Sequence, residues 1–434
     1  MKHQMQENKQ EISVFWFRRD LRLEDNHGLY QATKSGFPVL PLFIFDEEIT
    51  GELPVDDARI TFIYDVLSSI RDRLHEHGSS LYVIKDKPHA AWKKITEEFN
   101  VKEVYANEDY EPYAINRDLA VQDFLASRGI PLTLLKDQVI FEKDEVVKAD
   151  GNPYTVYTPY RNKWMELFRN AAHAAYADAD MDSFVKLEFA FPDLDEIGFS
   201  SSAIKVPAYQ LDRMADYAET RNTPSVEGTS RLGPYLRFGT IGIRSIVEKT
   251  KTYPVFLGEL IWREFFMQIL YYFPNVVDQN FRSKYDGIVW RNNEEEFEKW
   301  KKGETGYPIV DAGMRELNTT GFMHNRVRMI AGSFLCKHLL IDWKWGEAYF
   351  AQKLLDYELS SNNGNWQWVA GTGCDAAPYF RVFNPTAQQQ KFDPKMDYIN
   401  KWVPELDSPD YPAPMVDHKF ARERAIDTYK AGIS

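Results

Sequence analysis

Short apolar runs and helical stripes alternate along the first third of the chain. The runs predict buried strands at residues 12–17, 39–45, 81–85, 102–106 and 132–135. In the clearest helix between them, one apolar face is formed by Ile63, Val66, Leu67, Ile70 and Leu74. Strands that alternate with helices indicate a parallel, doubly wound sheet with right-handed crossovers. We therefore predict an α/β domain over residues 10–138.

The pattern changes beyond residue 138. Residues 139–205 are irregular and interrupted by Gly, Pro and acidic positions, which predicts a long inter-domain linker with some helix, including residues 160–168. From residue 206 strand signals almost vanish, and helical stripes continue to residue 434. The predicted architecture is α/β plus all-α, with a helical second domain over residues 206–434.

The first predicted strand lacks the turn that a dinucleotide-binding sheet requires. Residues 18–22 are Arg-Arg-Asp-Leu-Arg, where the fingerprint would have G-x-G-x-x-G. We therefore do not expect this sheet to hold a dinucleotide in the usual way, and any such ligand is expected elsewhere in the chain.

Composition narrows the class of protein. No run of about 18 apolar residues exists, and residues 1–10 lack the apolar core of a signal peptide. Cys336 and Cys374 are too few for a disulfide framework, so we expect a soluble, cytoplasmic protein. The net charge of −13 argues against indiscriminate nucleic-acid binding but permits a local basic patch. The nine histidines show no metal-ligand spacing, and we expect no metal.

Eight of the 11 tryptophans lie between Trp262 and Trp402. A large aromatic core would explain this concentration, and so would a surface that stacks on bases. A helix over residues 257–266 would place Glu259, Trp262 and Arg263 on one side. Such a side is either an exposed Glu259–Arg263 pair or the wall of a cavity that recognises a base.

Two further segments combine polar and aromatic residues. A helix from His324 would place Asn325, Arg328, Met329 and Gly332 in one stripe, which indicates either a satisfied core network or a ligand that approaches the glycine. The segment 356–368 joins two acidic residues to a polar turn and two tryptophans, and it is either an ordinary loop or a ligand edge. Residues 227–232, EGTSRL, are able to hold phosphate, although such short runs are common.

Several motifs in the same order resemble the DNA photolyase/cryptochrome family, and most closely its class I cyclobutane pyrimidine dimer photolyases. They are RRDLRLEDN at 18–26, EGTSRL at 227–232, ELIWREF at 259–265, TGYPIVDAGMREL at 305–317, MHNRVRMI at 323–330, LIDW at 340–343, NNGNWQW at 362–368 and FNPTAQQQKFD at 383–393. The resemblance covers essentially the whole chain. It implies an α/β antenna domain joined to an all-helical domain that binds FAD in a U-shape.

The resemblance also implies residue roles. The FAD contacts would be Tyr217, Thr229, Ser230, Arg231, Leu232, Glu259, Arg263, Asn325, Arg328, Asp356, Glu358 and Asn362. Among them, Arg328 and Asp356 would form a buried ion pair against the flavin, and Asn362 would face its N5 atom. Plant cryptochromes have Asp where this chain has Asn362. A neutral amide there cannot readily donate a proton, so it favours fully reduced FADH⁻ and repair.

An electron-transfer chain and a lesion pocket follow from the same resemblance. Trp366, Trp343 and Trp290 would relay electrons from the surface to the flavin. The pocket and catalytic residues would be Glu259, Trp262, Asn325, Met329, Asn362 and Trp368. Enzymes for the (6-4) photoproduct resemble this chain but have His at positions 325 and 329, and DASH cryptochromes tend to replace the two pocket tryptophans. The expected substrate is therefore a cyclobutane pyrimidine dimer.

The expected partners are DNA and a possible second chromophore. Arg221, Arg326 and Arg381 match family positions that grip DNA phosphates around a flipped lesion. Arg59, Asn107, Asp109 and Glu111 resemble antenna residues of deazaflavin-binding members, whereas folate-binding relatives would have Asn and Glu at positions 113 and 114. We expect a deazaflavin or flavin-like antenna, or an empty pocket, rather than methenyltetrahydrofolate.

Light-driven repair of pyrimidine dimers by a carbon–carbon lyase is thus the expected activity. Reduced FAD would donate an electron to a flipped-out dimer in UV-damaged DNA, and the protein is expected to be a monomer without an obligate protein partner. A signalling cryptochrome with the same FAD site is the alternative. The chain ends soon after the family's terminal motif, which leaves little room for the tail of a photosensory relative. A light-independent flavin redox enzyme would need no tryptophan relay.

Overall fold

The computed structural model describes residues 9–170 and 174–433, which form two compact units. The first unit contains the chain up to Glu145 together with Met165–Pro207 and Leu232–Thr252. The second contains Val146–Trp164, Ala208–Arg231 and the chain from Tyr253 onward. The predicted boundaries at residues 138 and 205 differ from this division. The expected linker is divided between the two units, and residues 232–252 of the expected helical domain belong to the first unit.

A five-stranded parallel sheet forms the centre of the first unit, as the alternating pattern predicts. Its strand order is β3-β2-β1-β4-β5. The strands are β1 (Glu11–Phe17), β2 (Val39–Asp46), β3 (Tyr82–Asp86), β4 (Asn100–Asn107) and β5 (Leu132–Leu135). Central β1 is buried at six of its seven positions and β2 along its whole length, which is typical of a sheet covered on both faces.

The α-helices occur in both units. They are α1 (His27–Ala32), α2 (Glu47–Thr50), α3 (Ala58–His75), α4 (Pro88–Glu98), α5 (Pro112–Ala126), α6 (Tyr157–Asn170), α7 (Tyr217–Thr220), α8 (Gly233–Arg237), α9 (Ile243–Thr250), α10 (Pro254–Tyr272), α11 (Glu294–Lys302), α12 (Pro308–Thr320), α13 (Asn325–Ser333), α14 (Trp343–Lys353), α15 (Leu359–Ala370), α16 (Pro385–Phe392), α17 (Asp397–Trp402) and α18 (His418–Gly432). Helix α6 confirms the helical piece expected inside the linker.

Helix α3 shows how sequence pattern becomes packing. Leu67, Ile70 and Leu74 of the predicted stripe are buried in the core of the first unit, and Ile63 and Val66 are partly buried against it. The helix begins after Asp57, whose carboxylate accepts a hydrogen bond from the backbone N–H of Arg59. An apolar stripe about 100° wide therefore faces the sheet, as the spacing predicts.

Buried charges explain the arginine-rich segment after β1. The Arg22 guanidinium lies 2.6 Å from the Asp137 carboxylate, and Arg244 contacts Asp137 at 2.6 Å and Asp25 at 2.7 Å. Burial alone would raise the pKa of Asp137, but the two guanidiniums hold it below its ordinary value. These positions, where a glycine-rich loop would otherwise stand, thus form a structural ion-pair network.

A tryptophan-rich cluster forms the main core of the second unit. Trp300, Trp343 and Trp366 are all buried in it, together with apolar side chains of α12, α13, α14 and α15. Helix α13 begins after His324 and continues into a π-helical turn, Phe334–His338. This confirms the predicted helical nature of the second half of the chain.

We predict that Asp137→Asn lowers the free energy of unfolding of the first unit by about 3–5 kcal/mol, since it leaves two buried guanidiniums without their shared carboxylate. Urea denaturation followed by far-UV circular dichroism measures the change. Asp123→Asn, at an exposed position of α5, is the control and should alter stability by less than about 0.5 kcal/mol. Equal stability of the two variants would contradict a stabilising role for the network.

Candidate functional site

A cavity of about 570 Å³ lies among α13, α14, α15 and the loop that precedes α15. Seven of the residues predicted for the site line it. They are Asn325, Arg328, Met329, Asp356, Glu358, Asn362 and Trp366. The remaining lining residues, which the sequence interpretation did not assign as site residues, are Gly332, Phe350, Leu354, Tyr357, Ser361, Asn365 and Val369. Residues 40 positions apart are thus brought to one concave surface.

The predicted ion pair is present at this cavity. The Nη2 atom of Arg328 donates to Oδ2 of Asp356 at 2.9 Å, and its Nε atom donates to the Met323 carbonyl at 2.7 Å. The other oxygen of Asp356, Oδ1, is buried and has no hydrogen-bond partner among the described residues. A buried carboxylate oxygen without a donor is costly, so this atom is suited to a ligand that supplies an N–H or O–H group.

A second ion pair joins α10 to the residue before α15. The Arg263 guanidinium lies 3.2 Å from the Glu358 carboxylate, and the Ser361 hydroxyl donates to the same carboxylate at 3.0 Å. Glu358 is the N-cap residue of α15, and both partners are largely buried. This contact fixes the carboxylate at the edge of the cavity.

Asn362 is held by a residue that the sequence interpretation missed. Its Nδ2 atom donates to Oε1 of Glu347 at 2.8 Å and to the Glu347 carbonyl at 3.1 Å. Burial raises the pKa of Glu347 above its ordinary value, and the hydrogen bond from Asn362 opposes that rise. Since the amide nitrogen is engaged by Glu347, the amide oxygen remains for the cavity. Nothing in the sequence of α14 indicates this contact.

The glycine in the α13 stripe serves helix packing. A Cβ atom at Gly332 would lie 3.1 Å from Cγ2 of Val369 and 3.4 Å from the Trp366 ring. A Cβ at Gly346 of α14 would overlap the same ring. The close neighbour that the sequence pattern called for is therefore α15, and Gly332 also lines the cavity.

The three tryptophans predicted to form the relay belong to one apolar cluster. Trp366 is 3% and Trp343 is 1% exposed, and half-buried Trp290 packs against the same cluster. The indole N–H of Trp343 donates to Oδ1 of Asn280 at 2.9 Å. Trp366 also lines the cavity, which places one end of the predicted relay at the candidate site.

The predicted lesion residues of α10 have partners within the second unit. Glu259 pairs with Arg221 at 2.6 Å, and burial raises the pKa of Glu259 despite the opposing charge of that guanidinium. The indole of Trp262 stacks on Tyr157. The alternative of an exposed Glu259–Arg263 pair is replaced by two pairs with different partners. Trp368 is half-buried against the tryptophan-rich core.

The predicted phosphate-binding loop lies apart from this lining. Arg231 has φ of 52°, pairs with Glu227 at 2.9 Å and stacks over the Phe322 ring. Left-handed backbone at a non-glycine residue costs about 1–3 kcal/mol and often marks a functional segment. Thr229 and Arg231 line a second cavity of about 420 Å³, Ser230 is buried, and the Tyr217 ring contacts Phe256. Leu232 is buried and precedes α8.

The three arginines predicted to bind DNA phosphates are close enough for their positive charges to interact. Arg326 donates to Oδ1 of Asn222 at 2.6 Å and stacks over Phe392. Burial lowers the pKa of Arg326, and the positive charges of Arg221 and Arg381 lower it further. Arg381 is exposed. The structure thus contains the local basic patch that the acidic net charge permits.

The four predicted antenna residues have partners within the first unit. Asn107 donates to Asp20 and Asn26 and accepts from the Gly28 N–H. The pairs formed by the other three are Asp109 with Arg19, Glu111 with Arg19 and Arg237, and Arg59 with Asp57. These contacts give each side chain a structural role, and the antenna assignment stays a prediction.

Two features are absent from the part of the chain that the structure describes. No group of three or more potential metal ligands occurs within residues 9–170 and 174–433. In the same part of the chain, no helix is both long and apolar enough to cross a bilayer.

Family models match most of the chain. One for DNA photolyase matches residues 13–178, and one for the FAD binding domain of DNA photolyase matches residues 256–409. A curated relative from Halobacterium salinarum, named deoxyribodipyrimidine photo-lyase, is 37% identical over 96% of this chain and 98% of its own length. The protein belongs to the DNA photolyase family. A deoxyribodipyrimidine photo-lyase of Vibrio cholerae is also 37% identical, over 96% of this chain and 99% of its own length.

Solved photolyase structures share the whole fold. A class III photolyase from Agrobacterium tumefaciens has a TM-score of 0.86 at 32% identity, with 98% of both chains covered. A Sulfolobus tokodaii photolyase solved with two FAD molecules has a TM-score of 0.85 at 34% identity, covering 97% of this chain and 99% of that one. These matches confirm the predicted α/β domain and helical FAD domain.

The photolyase cavity fits a flavin. It lies inside the matched FAD-binding domain, and unpartnered Oδ1 of Asp356 offers an acceptor to a ring N–H. The Arg328 guanidinium and the Asn362 amide oxygen add a donor and a second acceptor on the same surface. FAD is therefore the cofactor of this family member, as expected from the sequence.

We predict that Asp356→Asn raises the dissociation constant for FAD by about 10- to 100-fold, because it removes a charged acceptor and weakens the hold on Arg328. The ratio of flavin to protein absorbance after gel filtration measures retention. Glu298→Gln at an exposed position of α11 is the control and should retain wild-type flavin content. Full retention by Asp356→Asn would show that the cavity holds flavin without this carboxylate.

Proposed function

We propose that this photolyase-family protein repairs cyclobutane pyrimidine dimers in UV-damaged DNA under light, as a deoxyribodipyrimidine photo-lyase. One observation carries the proposal. A cavity built from Arg328, Asp356 and Asn362 lies in an FAD-binding domain whose curated relatives, named for this activity, align over nearly their full length. Bound, reduced FAD would supply, on excitation by light, an electron that opens the dimer ring and then returns to the cofactor, without net redox change, and the protein positions the reactants and excludes water.

The residues around the cavity hold the flavin in this proposal. Arg328 and Asp356 present a fixed donor and acceptor, and the Arg263–Glu358 pair fixes the edge at the start of α15. Glu347 fixes the amide of Asn362 so that its oxygen is presented to the cavity. An acceptor suits a reduced ring, whose N5 carries a hydrogen, better than an oxidised one. The neutral amide therefore supports a cofactor held reduced for repair.

Glu259, Trp262, Asn325, Met329 and Trp368 form the proposed lesion pocket. Two aromatic walls would stack on the fused bases, and Glu259 would accept their N–H groups and stabilise charge. Asn325 and Met329 line the cavity, and neither an amide nor a thioether supplies a proton at neutral pH. This chemistry matches splitting of the cyclobutane ring, which needs no acid.

The arginine patch is the proposed surface that binds the DNA phosphates. Arg221, Arg326 and Arg381 are close enough for their charges to interact, and they lie on a chain with a net charge of −13. Binding through phosphates alone is sensitive to salt and insensitive to base sequence. A flipped dimer would then provide the specificity, because its damaged bases pair weakly and cost less to extrude.

A blue-light sensor is the second candidate function. A cryptochrome from Synechocystis has a TM-score of 0.86 at 26% identity, with 97% of this chain covered. The same cavity and relay would serve a sensor, so the fold alone does not separate the two functions. Repair of a defined dimer separates them directly.

We also propose a flavin-like or deazaflavin antenna, or an empty antenna site, rather than methenyltetrahydrofolate. Tyr113 and Ala114 stand where folate-binding relatives would have Asn and Glu, and the Sulfolobus tokodaii relative was solved with two FAD molecules.

We further propose that the protein is a cytoplasmic monomer. Repair through direct contact with DNA needs no obligate protein partner.

Illuminated, reduced protein should restore the thymine-band absorbance of oligothymidylate that contains dimers. Glu259→Ala should lower the repair rate at least about tenfold, since a charged hydrogen-bond acceptor is lost, while FAD remains bound. Glu295→Ala, an exposed change on α11, should repair at the wild-type rate. A wild-type protein without any absorbance recovery would contradict the proposed function, and normal repair by Glu259→Ala would contradict the role of that carboxylate alone.

Trp290→Phe should block photoreduction of oxidised FAD, because phenylalanine is far harder to oxidise than tryptophan. Flavin absorbance under blue light with an external reductant measures this reaction. Repair by chemically reduced Trp290→Phe should remain normal, since the proposed relay serves only to reduce oxidised FAD. Trp345→Phe, a half-buried tryptophan that packs on Phe297 outside the relay, is the control. Normal photoreduction in Trp290→Phe would remove this residue from the relay.

A further inference from the structure

Tyr157 covers one face of the Trp262 indole. The two ring centroids lie 3.6 Å apart, and the ring planes differ by only 8°. Tyr157 is the first residue of α6 and Trp262 lies in the middle of α10, so 105 residues separate them in the sequence. The tyrosine also meets Phe265 edge-on at 5.9 Å. This is a full-face aromatic stack within the second unit.

The tyrosine hydroxyl is anchored to the same helix. It donates to the Gly258 carbonyl at 2.6 Å, one turn before Trp262. A Cβ atom at Gly258 would lie 3.5 Å from this hydroxyl, so alanine would just fit and a larger side chain would displace the ring. Glycine inside a helix costs about 1 kcal/mol relative to alanine. The Tyr157 hydroxyl thus leaves room at position 258 of α10 for a side chain no larger than that of alanine.

The backbone of Tyr157 has a separate anchor. Its N–H donates to Oδ2 of Asp375 at 3.0 Å. Asp375 lies six residues before Arg381, in the segment between α15 and α16. Burial, together with the negative charge of Glu259, raises the pKa of Tyr157 well above its ordinary value. The hydroxyl thus stays protonated, and the ring is held by contacts at both ends.

We propose that Tyr157 is a positioning residue that fixes the Trp262 indole in the orientation needed to stack on the flipped dimer. The inference rests on the proposed function, because it assigns Trp262 to the lesion pocket. An indole free to rotate would lose rotamer freedom on binding, whereas one already stacked has lost it beforehand. Tyr157 acts through Trp262 and increases the preference for damaged over undamaged DNA.

Binding of a singly damaged and an undamaged oligothymidylate to the reduced holoenzyme in the dark tests this role. Fluorescence anisotropy gives both dissociation constants. Tyr157→Leu should lower the ratio of damaged to undamaged affinity about two- to tenfold, the loss expected for one aromatic pair. Tyr157→Phe keeps the stack and should stay within about twofold of wild type. Tyr154→Leu changes a half-buried tyrosine three residues earlier and should leave the ratio unchanged.

A double-mutant cycle separates positioning from a merely structural effect. In a Trp262→Leu background, Tyr157→Leu should cause no further loss of preference, because the indole that it positions is absent. Additive losses, or an unchanged ratio in Tyr157→Leu alone, would overturn the proposal. Tighter binding of damaged DNA by Tyr157→Leu would also overturn it, since Tyr157 would then obstruct the stacking face.

Two further measurements keep the test decisive. If Tyr157→Leu fails to retain FAD, Gly258→Val replaces it as the test variant, because the larger side chain displaces the Tyr157 ring at its hydroxyl end. The same loss of preference for damaged DNA is expected. An unchanged ratio in a Gly258→Val variant that retains FAD would overturn the inference. A wild-type protein with no preference for the damaged oligonucleotide would refute the proposed function itself, whereas a discriminating wild type with an equally discriminating Tyr157→Leu refutes only the role of Tyr157.

Discussion

The close seating of Trp366 determines the shape of the cavity. Its indole packs where α13 and α14 each have a glycine, Gly332 and Gly346, and a side chain at Gly346 would overlap the ring. Helix α15 is thereby held against both neighbours. Since Asn362, Trp366 and Val369 follow one another at helical spacing, fixing the indole also directs Asn362 and Val369 to the cavity surface. The two glycines lower helix propensity, and tight packing of a large aromatic ring offsets that loss.

The site combines this rigid apolar support with a few paired charges. Arg328–Asp356 and Arg263–Glu358 occupy the cavity side of the tryptophan-rich core, and Glu259 of α10 pairs with Arg221 at the end of α7. Leaving such a charge unpaired would cost far more than the pair gains, so each partner fixes the other's position. The arginine patch, which includes Arg221, also places like charges near one another, so Arg221 and Arg381 raise the energy of charged Arg326. Such a patch is stabilised by an anionic partner, which is what a phosphate backbone provides.

Periodicity predicted the elements of the fold well. The five strands occur where the apolar runs predict them, and the α3 stripe is buried as its spacing requires. The resemblance placed Arg328, Asp356, Asn362 and Trp366 in one site, and the cavity brings these four together. Tyr157 and Glu347 were missed for a physical reason. Each acts through a partner distant along the chain or on another helix, and neither has a local pattern that marks such a contact.

The division into units was the least predictable part of the fold. Composition suggested one uninterrupted linker over residues 139–205, but part of that segment packs in each unit. Burial of Tyr160 and Trp164, which both contact Glu264 of α10, assigns residues 146–164 to the second unit. Arg244 binds the buried carboxylates of the first unit, so residues 232–252 belong there. These assignments depend on long-range partners and not on local composition.

This interleaved chain path has a consequence for synthesis on the ribosome. The first unit lacks Arg244 until about 250 residues have been translated, so Asp25 and Asp137 emerge long before the cation that neutralises them. At elongation rates of roughly 5–20 residues per second, the interval from Asp137 to Arg244 lasts on the order of 5–20 seconds. During that time all five strands have been translated, but the ion-pair network beside the sheet still lacks Arg244. A single genetic cut after Thr252 would keep every segment of the first unit but would separate residues 146–164 and 208–231 from the rest of the second unit. The second unit therefore cannot be produced by simple truncation.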